Sequence, residues 1–428
     1  MRRRLALLLL LVPLLLWPHG SARGDEAEKA FRKAMAAAAG DAGKQEAAVR
    51  ALAREGPDGA RLLARLAVDP ALDPRLRDAA AESFDGLSAD AAVLEWAASA
   101  LAPGKKREKE GAVRTLCAEL LSAGLRQAPE RAAHLFPALQ DESWSVQVAA
   151  IRGLVHVPRR EVVGALADLA GKAQGRVLLE CRRALEALTG EKHADGPAWA
   201  AWWAARGQEW EPGATAAESP SPAAGGTVQR YTPTESIFDD VASNRVIIVV
   251  DVSGSMQVRA LDGQGERALT RLQAVQAELV HLIEEKLDEK RDQFNLIAFS
   301  SEVRPWKKKL VPATRANKEA ALRFVRALEP DGETNISDAL ELAFQDKDAD
   351  TIHFLTDGTP TRGKLQTNLE ILGAVKRWNT GRGVRVCAVA FLAGDPTPFK
   401  VVENRGMSER FLRELAGQNG GTFRLFDE

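Results

Sequence analysis

Arg245-Val-Ile-Ile-Val-Val-Asp251-Val-Ser253-Gly-Ser255-Met256 decides how the second half of this chain folds and where its chemistry lies. Val246 to Val250 is an unbroken β-branched run, the pattern of a strand covered on both faces of a parallel sheet. The run ends directly in one carboxylate and two hydroxyls, on Asp251, Ser253 and Ser255. Gly254 lets the backbone turn tightly between the serines. A single strand thus delivers three oxygen-bearing side chains to the point where the chain leaves the sheet.

The pattern on either side of this stretch repeats strand and helix. Thr270 to Leu287 carries Leu272, Val275, Leu279, Leu282 and Ile283 on one helical stripe. Apolar runs predict further strands at Phe294–Phe299, Thr351–Leu355, Val384–Ala390 and Thr422–Phe426, with helices at Lys318–Ala327, Ile336–Phe344, Leu365–Trp378 and Ser408–Gly417. The alternation predicts a doubly wound, Rossmann-like α/β domain over residues 240–428. Ligands of such sheets sit beyond the carboxyl ends of the strands, near the point where strand order reverses. Two other segments bring oxygen there: Gly332-Glu-Thr334-Asn-Ile-Ser337, which opens a helix, and Leu355-Thr-Asp357-Gly358, which closes a strand. Oxygen donors from three loops suit a hard divalent cation, Mg²⁺ first, with Mn²⁺ or Ca²⁺ as alternatives. Hydroxyls on Ser253, Ser255 and Thr334 are neutral, so the metal keeps its charge and attracts an anionic oxygen. Asp251 and Asp357 then orient the shell through bound water.

At these residues the sequence resembles the von Willebrand factor type A family and its metal-ion-dependent adhesion site. Asp-x-Ser-x-Ser after one hydrophobic strand, a distant Thr before Asn, and Thr-Asp-Gly after another strand fill all five positions of that site, with Asp251, Ser253, Ser255, Thr334 and Asp357. Phe294-Asn-Leu-Ile-Ala-Phe-Ser300 resembles the family's second strand and Leu415–Phe423 its last helix and strand. Glu333 departs from the pattern, standing where many relatives carry a second Gly. The resemblance implies a Rossmann-like sheet with helices on both faces. It also implies metal-bridged recognition, in which an Asp or Glu of a partner protein completes the metal shell.

Residues 25–206 are rich in Ala, Leu and Arg, with apolar residues at helical spacing. An aliphatic residue followed by small or apolar residues three, four and eight places on recurs at Leu76-Ala79-Ala80-Phe84, Val113-Leu116-Cys117-Leu121, Val146-Ala149-Ala150-Leu154 and, less clearly, from Val177 through Cys181 to Leu185. The intervals are 37, 33 and 31 residues, and helix pairs at such a period bury their apolar faces only by stacking, which predicts an α-helical solenoid. Asp141 to Leu154 resembles the second helix of a HEAT repeat, and Trp199, Trp202, Trp203 and Trp210 are expected to cap the last unit. Lys105, Lys106, Arg107 and Lys109 read as a solvated loop between helices. The Pro-, Gly- and Ser-rich stretch 207–236 reads as a linker.

Arg2 to Arg4, the apolar run Leu5–Leu16 and the small residues Gly20, Ser21 and Ala22 have the organisation of a signal peptide over residues 1–22. The protein is therefore expected to be exported, to the periplasm, cell surface or medium, with no integral membrane segment after cleavage. Cys117, Cys181 and Cys387 lack metal-site spacing and read as small buried hydrophobes. Cys117 and Cys181 occupy equivalent places two units apart, too far for a disulfide. Lys and Arg total 58 against 59 for Asp and Glu, so no global field draws nucleic acid. With only 1 Tyr among 6% aromatics, a base-stacking surface is excluded too.

The combination favours a non-enzymatic adhesion or assembly factor that recognises a partner protein through the metal, with the helical repeats offering a second surface for a protein. An accessory subunit of an ATP-driven remodelling complex is the runner-up, opposed by the signal peptide. A serine hydrolase using Ser253 or Ser255 lacks both a Gly-x-Ser-x-Gly elbow and a histidine at a strand top.

Overall fold

The computed structural model describes residues 22–104, 107–212, 228–230, 238, 243–259, 269–391 and 398–426. The expected signal peptide, apart from Ala22, lies outside the described residues, as do Lys105, Lys106 and most of the linker. The described chain forms two compact units, one helical and one α/β.

The helical unit is built from α1 (Ala22–Ala37), α2 (Ala42–Ala51), α3 (Gly56–Val68), α4 (Pro74–Asp85), α5 (Ala91–Leu101), α6 (Gly111–Ala123), α7 (Trp144–Leu154), α8 (Arg160–Ala170), most of α9 (Gly175–Thr189) and α10 (Gly196–Arg206). Aspartates start several of these helices. Asp41, Asp73, Asp90 and Asp195 each accept a backbone N–H of the first turn, which supplies one of the partners that a helix start otherwise lacks. The four recurring stretches fall on α4, α6, α7 and α9, and their apolar residues are buried. The pairing is not uniform. Before α7 there are two 3₁₀ turns, Pro129–Leu135 and Pro137–Gln140, where the period predicts an α-helix. Pro137 has no N–H to give and its ring crowds the preceding turn, so a continuous helix cannot pass through it.

Charged side chains cross between the recurring stretches. Arg114 of α6 makes a two-pronged contact with Asp141, Nε to Oδ2 and Nη2 to Oδ1, both at 2.8 Å, and both residues are buried. Its remaining Nη1 donates to the carbonyls of Glu108 and Lys109. Arg107, expected to be solvated, is half-buried and gives Asp141 Oδ2 a further bond of 2.8 Å. The acid that satisfies it lies 34 residues downstream, so no local pattern announces it. Burial pushes the Asp141 carboxyl up, but its hydrogen bonds, first of all from Arg114, outweigh that and hold it below the ordinary range. At the end of the unit the tryptophans form a chain of ring contacts, Trp199 to Trp202 at 5.6 Å, Trp202 to Trp203 at 6.0 Å and Trp203 to Trp210 at 6.3 Å, and α10 packs on α8. Gly164 of α8 makes room for them: a Cβ there would come within 2.9 Å of the Trp203 ring. All three cysteines are buried and free.

The α/β unit contains β1 (Val228–Arg230), β2 (Arg245–Asp251), α11 (Arg271–His281), β3 (Gln293–Phe299), β4 (Val303–Pro305), β5 (Val311–Pro312), α12 (Arg315–Arg326), α13 (Ile336–Gln345), β6 (Thr351–Thr356), α14 (Asn368–Asn379), β7 (Arg385–Phe391), α15 (Pro398–Gln418) and β8 (Phe423–Phe426). The strand order is β1-β8-β7-β6-β2-β3-β4, and β5 also pairs with β3. All pairings are parallel except those of β4 and β5 with β3. Val246 faces Phe294 of β3 on one side and Thr351 of β6 on the other. The chain runs from β2 to β3 and later returns to β6 on the opposite flank, so strand order reverses at β2.

The five expected strands are present, and three short ones were not expected. Val228–Arg230 lies inside the stretch read as linker and pairs in parallel with β8. β4 and β5 are short edge segments containing Pro305 and Pro312, and periodicity cannot find them. The exposed Lys307, Lys308 and Lys309 directly follow edge strand β4, and Lys307 also lies 5.0 Å over the Trp306 ring. His353 is a buried strand residue, 5.3 Å from the ring of Phe238.

Replacing Asp141 by Ala leaves the buried Arg114 guanidinium with only the exposed Glu142 carboxylate, 2.9 Å from its Nη2, and about 3 kcal/mol of stability should be lost, the low end for breaking a buried pair. Urea unfolding of the full chain, followed by far-ultraviolet circular dichroism, measures this directly.

Candidate metal centre

Asp251 is the last residue of β2, and Thr356 and Asp357 end and follow β6, its neighbour. Because β2 is buried from Val246 onward, its terminal carboxylate stays inside the protein and is 0% exposed. Both of its oxygens are engaged. Oδ1 accepts the Ser253 N–H at 2.8 Å, closing an Asx-type turn, and Oδ2 accepts the Thr356 hydroxyl at 2.5 Å. The hydroxyls of Ser253 and Ser255 are 3.1 Å apart, and Ser255 Oγ donates to Asp357 Oδ1 at 2.8 Å. One continuous polar chain therefore links Asp251, Ser253, Ser255 and Asp357. Ser255 is exposed, whereas the other three are buried.

Thr334 joins this rim through the backbone. The Gly254 N–H donates to the Gly332 carbonyl at 3.0 Å, and the Asp331 N–H to the Val252 carbonyl at 2.8 Å, so the threonine loop is stitched to the serine loop. From the other side, the Thr361 hydroxyl accepts the Thr334 N–H at 2.9 Å, and the Thr361 and Arg362 N–H groups donate to the Thr334 carbonyl. Gly332 has φ +75, and a Cβ there would meet Ser301 Oγ at 2.5 Å, so the sharp entry into this loop requires glycine. Glu333 turns outward and pairs with Arg362 at 2.8 Å, both about half exposed. Asp262-Gly-Gln-Gly-Glu266, which lengthens the loop after the Asp-x-Ser-x-Ser motif, lies outside the described residues.

A participant that the motif does not contain is Arg271. Its Nη1 lies 2.7 Å from Asp357 Oδ2, with side chains 6% and 0% exposed. A cation in the first turn of a helix opposes the helix dipole, so a buried Arg there needs a carboxylate close by. That mismatch with helix rules was the signal available in the sequence.

Burial, and after it the charge of Asp357, pushes the Asp251 carboxyl up to about 7. Burial also raises Asp357, with Arg271 and the hydrogen bonds offsetting part of the effect. The donor set fits a hard cation: two buried carboxylates, only one of them with an ion-pair partner among the described residues, stand beside neutral hydroxyls that can turn their lone pairs toward a metal. Among the described residues no group of three or more His, Cys, Asp or Glu side chains forms a metal cluster. Any cation at this rim would therefore rely on hydroxyl oxygens.

Residues 246–359 match the von Willebrand factor type A domain family. The chain carries a von Willebrand factor type A domain. Over 188 residues it is 32% identical to human von Willebrand factor A domain-containing protein 3A, covering 44% of this chain and 14% of that protein. Over 195 residues it is 31% identical to the human inter-alpha-trypsin inhibitor heavy chain H4, covering 43% of this chain and 18% of the relative. The chain thus spans less than a fifth of these curated relatives. Among solved structures, the von Willebrand factor type A protein from Catenulispora acidiphila is similar at 20% identity and a TM-score of 0.33, covering 44% of this chain and 40% of that one. The type A domain here thus follows a helical unit.

Without metal, the raised carboxyl of Asp251 makes folding favour its protonated form. Stability is full below the unfolded carboxylate range near 4 and falls as pH rises through about 7. Melting temperatures in chelator should therefore drop between these limits, and Asp251→Asn should flatten the profile.

Proposed function

We propose that this chain is an exported, non-enzymatic binding protein whose type A domain recognises a partner protein through a divalent cation, Mg²⁺ in the first place. Asp251, Ser253, Ser255, Thr334 and Asp357 would hold the metal, and an Asp or Glu carboxylate of the partner would fill the position they leave. The observation that carries this reading is the bonded chain from Ser253 Oγ through Ser255 Oγ to Asp357 Oδ1, whose middle link, Ser255, is exposed. A bound cation supplies a Lewis-acid position for an anionic oxygen. The chain's own residues bind it, orient it and leave one side open. One relative is named an inter-alpha-trypsin inhibitor heavy chain, and a name that refers to inhibition of a protein is in keeping with protein recognition.

A hydrolase would need Ser253 or Ser255 paired with a base that takes its proton. The two hydroxyls instead bond to each other and to a carboxylate that an arginine already grips, an arrangement suited to ligation. Export rests on the charged and apolar organisation of the first 22 residues, and the helical unit would offer a second protein-binding surface.

Mg²⁺ added to the full chain should raise its melting temperature by several degrees, whereas Asp251→Ala should show no such response. A pulldown from envelope or culture fractions should retain a partner in Mg²⁺ and release it in chelator. Equal melting with metal and with chelator, together with metal-independent capture, would count decisively against the proposal.

A further inference from the structure

We infer that Arg271 is a built-in counter-cation of the candidate centre, a positioning residue that fixes Asp357 and weakens the grip of the site on a divalent metal. The inference rests on the metal-binding reading above and deepens it by assigning a regulator of affinity. The two oxygens of Asp357 have divided partners: Oδ2 faces the Arg271 guanidinium at 2.7 Å, and Oδ1 faces the exposed Ser255 hydroxyl at 2.8 Å. With Oδ2 held on the protein side, Asp357 can present only Oδ1 to the rim.

The charges make the consequence definite. With a cation bound, Asp251 and Asp357 are both ionised and carry two negative charges, and Arg271 returns one positive charge within direct contact of the second. A divalent cation added to this set leaves a surplus of one positive charge, which only an anion from outside can neutralise. Without Arg271 the two carboxylates alone would balance the metal. It would be held more tightly, with less need of a further ligand. Arg271 thereby exchanges metal affinity for demand for an anionic partner. Its place in the first turn of α11 is electrostatically unfavourable for a purely structural cation, and the Asp357 contact offsets that cost.

Mg²⁺ alone, titrated calorimetrically into the full chain and into R271Q, R271M and R271K, tests this, with melting curves in chelator and in saturating Mg²⁺ alongside. R271Q and R271M should bind Mg²⁺ about tenfold more tightly than wild type, the scale of a contacting charge. They should also melt lower in chelator and recover most of the loss in Mg²⁺. R271K keeps the charge and should stay within about threefold of wild type. A merely structural Arg271 would give lower melting with unchanged or weaker Mg²⁺ binding in the neutral variants, and that result overturns the inference. Failure of both neutral variants to fold at saturating Mg²⁺ overturns it as well, because the metal should replace the missing cation. Tight binding by R271Q beside a silent wild type would uphold the role of Arg271 and defeat the function proposed above. Silence in all four proteins would defeat both.

Discussion

Two carboxylates kept out of water, with one guanidinium between them and neutrality, are the constraint on which the rest of the α/β unit turns. Asp251 is in that position because β2 is apolar on both faces and buried from Val246 onward, so the strand carries its final residue into the protein. Asp357 is there because β6 lies alongside β2 in parallel and ends level with it. A lone ionised carboxylate in such surroundings is costly, and every neighbouring donor acts to reduce that cost: the Ser253 amide, the Thr356 and Ser255 hydroxyls, and Arg271. The residual imbalance is what makes the rim a place for a cation and for whatever that cation attracts.

Much of this could be read from the residues because it is local. The β-branched run from Val246 to Val250 specifies a doubly covered strand wherever it occurs, and Asp251, Ser253 and Ser255 follow it within a single turn. Asp357 comes just as directly after the apolar run of β6. Thr334 depends on more. Its position is set by backbone bonds from Gly254, Thr361 and Arg362, none of which has a side-chain signature except the hydroxyl of Thr361. Arg271 was missed because its one signal in the sequence, a cation at a helix start, is weak on its own and names no partner, and the partner lies 86 residues away.

The same distinction holds in the helical unit. Apolar spacing marked the faces of α4, α6, α7 and α9, since burial of a helical stripe is a property of consecutive turns. It did not mark the interruption at Pro129 and Pro137, where the volume of a first helix is filled by two tight turns. Nor did it reveal the Arg114–Asp141 contact, which joins two buried charges 27 positions apart.

The strand Val228–Arg230 gives the α/β unit an outer margin drawn from upstream of its first core strand. Any recombinant fragment that begins at residue 240 discards that margin and leaves the Phe423–Phe426 backbone open along one side, available to a neighbouring molecule. Shortened versions intended for crystallisation or for immobilisation on a sensor chip should therefore start ahead of Val228, where the sheet keeps its own border.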